Sequence, residues 1–280
     1  MRVVKGIFIL VMMVSPLLVA QCMKPLQAGI LPVTTESAGG GGSYWQTDVI
    51  ITDAGTPARA VNDVELWVWV HGANNVMRSK YRHVNLAPGQ TMRIPRVLDW
   101  IGDVPYGSGE LYILNFNATY PVIVNGRLYN TGSAARGDLQ PGFGQGLPFL
   151  PYSVGMGSGE SQLFPVPLDP NEARINVGLV NTGWGTAQVR VSLYNDLGSE
   201  VDGWALLRSE TITLIEQEVR QFQINHPANI DLSGYAPGYV KIEVLTGDWG
   251  TIYPYVSIVD NVRIGDGQPT SDPYFLFGIN

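Results

Sequence analysis

The chain has 280 residues, a formal net charge of −7 and a pI near 4.9, and its 33 glycines and 19 prolines punctuate many short apolar runs. Charged side chains make up only 15%, below the roughly 25% usual in soluble domains, which argues against a long helical bundle and fits an extracytoplasmic β-rich protein. Basic residues form no cluster, so nucleic acid has no electrostatic footprint here, and a single cysteine excludes an intrachain disulfide.

Residues 1–21 read as a secretion signal: Arg2 and Lys5 precede the apolar run GIFILVMMVSPLLVA, which is too short and too abruptly followed by polar chain to span a membrane. Its removal takes away two basic side chains and no acidic ones, so the mature chain is more acidic still. Cys22 follows at once. The segment LLVAQC resembles the end of a bacterial lipoprotein signal, whose cysteine is acylated, except that Gln21 stands where a small residue is expected. The other reading is cleavage after Ala20 and soluble export. Both place the protein outside the cytoplasm, secreted or at the cell surface, with membrane contact only through an acyl group on Cys22, which alone is a marginal anchor.

The elements that follow are strands. ILPV (30–33) carries Pro32 and suits an edge position, since proline cannot donate to an interior ladder. The glycine run in ESAGGGG reads as a long turn. DVIIT, VELWVWV, TMRIP, ELYILNF and PVIVNGRLYN are rich in β-branched and aromatic residues and are separated by turn formers such as DAGTP and APGQ. A short helical turn is expected near PRVLDWIG (95–102). That makes about seven strands, the number of an immunoglobulin-like sandwich.

After a joint at SVGMGSGES (153–161), flexible by composition, the same blocks return in the same order. LFPV (163–166) matches ILPV. ARINVGLVNTGWGTAQV (173–189) matches WQTDVIITDAGTPARAV (45–61), aligning Asp48 with Asn176 and Asp53 with Asn181. VRVSLYN (189–195) matches VELWVWV, EQEVRQF (216–222) matches PGQTMRI (88–94), GYVKI (238–242) matches GELYI (109–113), and YVSIVDN (255–261) is set against VNGRLYN (124–130). The expectation is all-β: a signal over 1–21 and two tandem immunoglobulin-like antiparallel β-sandwich domains, 22–152 and 162–280, joined by the linker 153–161.

The order W-x-T-D, PGQ, R-I-P, GSGELYI, PVIVNGRLYN, GQGLP, then RINVGLVNTG, TAQVRVSLYND, VSIVDN and GDGQP resembles the tandem β-sandwich regions of secreted bacterial proteins, often appended to extracellular proteases. What that resemblance implies is a fold and an exported accessory or surface role, without an activity.

Residues that carry chemistry are sparse. There is no G-x-S-x-G elbow, no G-x-G-x-x-G and no Walker pattern. His71, His83 and His226 lie at no metal-ligand spacing. Of the carboxylates a glycosidase needs only two, but Asp48, Asp53, Asp99, Asp103, Asp196, Glu200, Asp202, Asp260 and Asp266 mostly occupy turn contexts, where Asp bonds its own backbone. DLGSEVDG (196–203) lacks the alternation of a calcium loop and reads as a solvated hairpin turn. No catalytic residue, metal site or cofactor is expected.

One feature stands apart. Read as a strand, residues 64–71 put Val64, Leu66, Val68 and Val70 on one face and Glu65, Trp67, Trp69 and His71 on the other. The second copy repeats the aliphatic face but has Ser192 and Tyr194 where the first has Trp67 and Trp69. The tryptophan face therefore either packs on the second domain, the glycine-rich turn or an amino-terminal segment, or stacks on sugars with Glu65 and His71 as polar edges, or makes a protein contact. The resulting expectation is an exported, non-catalytic structural, adhesive or accessory protein of the bacterial cell envelope, its partner an envelope protein or a polysaccharide. A carbohydrate-binding module using the Trp face is the alternative, and a glycosidase-like enzyme with a dispersed carboxylate pair the third reading.

Overall fold

Strict alternation decides which side of each strand meets the core. In the strand Asn62–His71 the side chains of Val64, Leu66, Val68 and Val70 are fully buried, while Glu65, Trp67 and Trp69 between them are half-buried. The computed structural model describes residues 27–38, 44–55, 62–71, 77–104, 107–115, 122–130, 144–167, 173–196, 204–225, 238–260, 263–264, 268–269 and 274–277. Cys22, the glycine run, His226, Glu200, Asp202 and Asp266 lie outside the described residues.

The first half comprises β1 (Gln27–Ala38), β2 (Tyr44–Asp53), β3 (Asn62–His71), β4 (Met77–Leu86), β5 (Thr91–Ile94), α1 (Val97–Ile101), β6 (Gly107–Asn115), β7 (Val122–Asn130), β8 (Gly144–Pro148) and β9 (Leu150–Pro151). One layer runs β4-β3-β6-β1 and the other β5-β2-β7-β8, all antiparallel. β1 belongs to both layers. It pairs with β6 from Gln27 to Glu36 across a bulge between Leu31 and Thr34, then with β2 from Glu36 to Ala38, because a bulge bends and twists the strand carrying it. The helical turn expected near 95–102 is α1, whose Val97, Leu98 and Ile101 close one end of the core.

The second half comprises β10 (Ser161–Val166), β11 (Ala173–Asn181), β12 (Ala187–Asp196), β13 (Trp204–Leu214), β14 (Val219–Gln223), β15 (Gly238–Thr246), β16 (Ile252–Asp260), the hairpin β17 (Arg263–Ile264) with β18 (Gln268–Pro269), and β19 (Tyr274–Phe277). Its layers, β10-β15-β12-β13 and β14-β11-β16-β19, repeat those of the first half strand for strand. The fold is thus all-β, two immunoglobulin-like antiparallel β-sandwiches in tandem. The duplication reaches single hydrogen bonds. Buried Asp53 accepts from the backbone N–H of Gly55 and buried Asn181 from that of Gly183, while the N–H groups of Asp53 and Asn181 donate to the carbonyls of Gln90 and Glu218.

Three readings of the sequence need correction. Ladder register sets Val49 opposite Gly126 and Val177 opposite Val256, so the counterpart of Val124 is Pro254 and not Tyr255. A one-residue slip exchanges the faces of a strand. It went unseen because β16 is buried on both sides: Ile252, Val256 and Ile258 join the second core, and Tyr253 and Tyr255 pack with the first. Next, β4 and β13 add an edge strand to each sandwich, β4 with Arg78, Lys80 and Arg82, a way of blunting an open ladder, and β13 with Leu207, Ile212 and Leu214 turned to the second core. Lastly, the joint at 153–161 is held in place. Met156 is fully buried in the second core and bridges Ile252, and the Glu160 carboxylate accepts from the N–H of Gly157.

Candidate functional site: an aromatic cleft between the sandwiches

The outer face of β1, β6 and β3 lies against the outer face of β14, β11 and β16. Val180, Val219, Tyr253 and Tyr255 of the second half pack with the first half's core cluster. Polar contacts cross as well: Tyr253 Oη donates to the Tyr152 carbonyl at 3.2 Å and Gln145 Nε2 to Ser257 Oγ at 2.8 Å. Gly178, directly opposite Tyr255, makes this possible, since a Cβ there would sit 1.9 Å from the tyrosine ring.

At one edge of the contact the two halves do not close. A cleft of about 200 Å³ is left, lined by Trp67, Trp69, Tyr112 and Leu114 from the first half and by Thr182, Trp184 and Gln217 from the second. Trp69 and Trp184 meet edge to face, centroids 5.0 Å apart at 85°, an arrangement the ring quadrupoles favour. Trp184 stays 63% exposed on its turn between β11 and β12. Trp67 stacks on Tyr81 of β4 at 4.3 Å, and its Nε1 donates to Glu65 Oε2 at 2.7 Å. Across the sheet edge, His83 Nδ1 lies 2.8 Å from Asp63 Oδ1, and that hydrogen bond raises the imidazole pKa above its ordinary value.

Gln217 ties the halves together at the floor. It occupies the turn position that Gly89 holds in the first copy, with φ 51° against 74°, a left-handed conformation that suits glycine and strains glutamine. The strained backbone aims the buried side chain across the interface: Oε1 accepts from Tyr112 Oη at 2.8 Å, and Nε2 donates to the carbonyls of Thr182 at 2.6 Å and Gly183 at 3.2 Å. One residue earlier, His71 Nε2 lies 3.1 Å from the Glu216 carbonyl.

Behind the lining stands Glu110. It is directly opposite Trp69 in the ladder and two residues before Tyr112 on the same face, and it is fully buried with no hydrogen-bond partner from another residue for either carboxylate oxygen. Burial pushes its carboxyl well above the ordinary range, its own backbone amide offsetting only part of that. Burial, with Glu110 close by, also raises the phenols of Tyr112 and Tyr152.

The four residues singled out in the sequence therefore share one face, but in different roles. Trp67 and Trp69 wall the cleft, Glu65 fixes the Trp67 indole, and His71 contacts the second half. Tyr112, Trp184, Gln217 and Glu110 were not anticipated. Trp184 had a signal, an indole between glycines in the turn NTGWGT, and so had Gln217, which stands in a turn where the first copy has Gly89; Tyr112 and Glu110 had none, because an outward position on a strand reads as solvent. Two buried carboxylates elsewhere in the first half are engaged. Asp48 is held by Arg93 at 2.6 Å and Tyr129 at 3.0 Å, and Glu36 by Gln46 at 2.9 Å and Arg96 at 2.8 Å. Among the described residues no group of three or more His, Cys, Asp or Glu side chains is arranged to hold a metal ion.

No known family matches this chain, and no curated protein matches it. Among solved structures it is similar to the N-terminal CBM22-1-CBM22-2 tandem domain of Xyn10C from Paenibacillus barcinonensis, at 12% identity over 89% of this chain and 91% of that one, with a TM-score of 0.22. A likeness of that size carries no argument about what this chain binds.

Proposed function

We propose that this is an exported, non-catalytic accessory or adhesive protein of the bacterial cell envelope, with the aromatic cleft between its sandwiches as the working surface. The observation that carries the reading is the pairing of Trp69 and Trp184 from opposite halves with Trp184 still largely in solvent. A contact needed only for packing would bury that indole; exposed aromatics beside buried ones are the composition of a binding surface. The absence of catalysis is supported by the engagement of Asp48, Asp53 and Glu36 within the fold. The resemblance to tandem β-sandwich regions of secreted proteins, and the leader at 1–21, support export.

Carbohydrate is the second reading, favoured by the flat Trp67–Tyr81 stack, where Tyr81 is 48% exposed beside Glu65 and His83. Retention of the protein on cell-envelope preparations and on insoluble glycans tests both. Trp184→Ala should lose envelope retention at unchanged melting temperature. Retention that persists in the variant would remove the cleft from the account, and loss on glycan alone with Tyr81→Ala would favour the sugar.

A further inference from the structure

We infer that the cleft is a receptor for an alkylated ammonium group, such as the trimethylammonium head of a choline-bearing ligand. The inference rests on the reading of the cleft as the working surface and names the chemistry it takes. Three observations converge on it.

The first is shape. Trp69 and Trp184 stand at 85° to one another, with Trp67 and Tyr112 completing the lining. Perpendicular indoles beside a third indole and a phenol give the cleft an aromatic lining, and the negative faces of such rings attract a cation that carries its charge on carbon-bound hydrogens.

The second is the state of the polar groups. The Tyr112 hydroxyl is spent on Gln217, the Gln217 amide on Thr182 and Gly183, and the Trp67 indole N–H on Glu65. A ligand rich in hydroxyls would find the Tyr112, Gln217 and Trp67 groups already in use, and unmatched polar groups are costly on desolvation. A fully alkylated ammonium has no donor or acceptor to satisfy.

The third is charge. Glu110 stands behind Trp69 and Tyr112, fully buried and without a partner from another residue, and none of the residues lining the cleft is basic. A buried carboxyl without a counter-charge holds its proton. A cation in the cleft would favour the ionised form through a low-dielectric wall, where charges interact more strongly than in water, so cation binding and proton release from Glu110 are linked. An apolar guest of the same size has no such link. The chain's net charge of −7 draws cations toward it in any case.

The test titrates the whole mature protein with choline and, separately, with 3,3-dimethylbutan-1-ol, its neutral isostere, following tryptophan fluorescence and heat. Choline should bind at least about tenfold more tightly than the isostere. Choline affinity of the unsubstituted protein should rise with pH while that of Glu110→Gln stays flat, the isostere should show no pH dependence in either, and Trp184→Ala should weaken both ligands. Equal affinity for the two ligands, no binding of choline, choline affinity of the unsubstituted protein indifferent to pH, or binding of a soluble oligosaccharide in their place would each overturn the inference. If choline fails while envelope retention still depends on Trp184, the working surface stands and only its ligand chemistry falls. If retention ignores Trp184, the surface itself falls.

Discussion

At the scale of single residues, Glu110 is the group whose environment differs most from what its sequence suggests. In GSGELYI it alternates with Leu111 and Ile113 and so reads as solvent-facing, yet its exposure is nil. The reason lies in the junction, where Tyr253 of the second sandwich bonds the Tyr152 carbonyl and the Tyr152 ring lies close to Glu110. Linkage gives the pH dependence. The folded protein holds the Glu110 proton above the pH at which an unfolded chain releases it, so stability falls as pH rises from the ordinary carboxylate range toward the raised folded value. The groups facing it, Tyr112, Tyr152 and Tyr253, are all raised and so stay protonated with it. Glu110→Gln removes the penalty, so the variant should be the more stable by about 1–3 kcal/mol at pH 8, with a smaller gain at pH 5, as read from urea unfolding at each pH. An equal gain at both would mean that the carboxyl is not the source.

Among elements, the inward faces were legible and the outward ones were not. Alternation in β3, carried by the repeat to β12, placed Val64, Leu66, Val68, Val70, Val189, Val191 and Leu193 on the buried side, because that side of each strand meets only its own core. It failed in β16, where Tyr253 and Tyr255 make both sides apolar, and it missed the edge strands β4 and β13. The pairing of β11 and β16 carries a sharp prediction. Gly178→Ala places a methyl 1.9 Å from the Tyr255 ring, whose hydroxyl is bonded to Gln221 at 3.0 Å, so the ring cannot stay where it is. Overpacking of that kind should cost about 1–3 kcal/mol in denaturant unfolding. The control is Gly146→Ala on β8, where an added Cβ meets nothing within 4 Å and the change should be near neutral. Equal costs at the two positions would deny that Tyr255 lies on Gly178.

For the whole molecule, the duplicated sequence disclosed two sandwiches but not how they sit together. Internal symmetry describes what the copies share, and the junction is built from what they do not: tryptophans at 67 and 69 against Ser192 and Tyr194, Gln217 against Gly89, and Trp184 with no aromatic counterpart in DAGTP. Copy-specific residues were therefore the better guide to the junction, and the pair on β3 was the one read that way in the sequence. The central claim is that indoles from opposite halves line one cleft, and it is open to a direct spectroscopic test. With selectively labelled tryptophans, a nuclear Overhauser spectrum of the mature protein should contain cross-peaks between ring protons of Trp69 and Trp184, whose centroids are 5.0 Å apart. Absence of those cross-peaks, with Trp184 resonating like a free indole, would contradict the account.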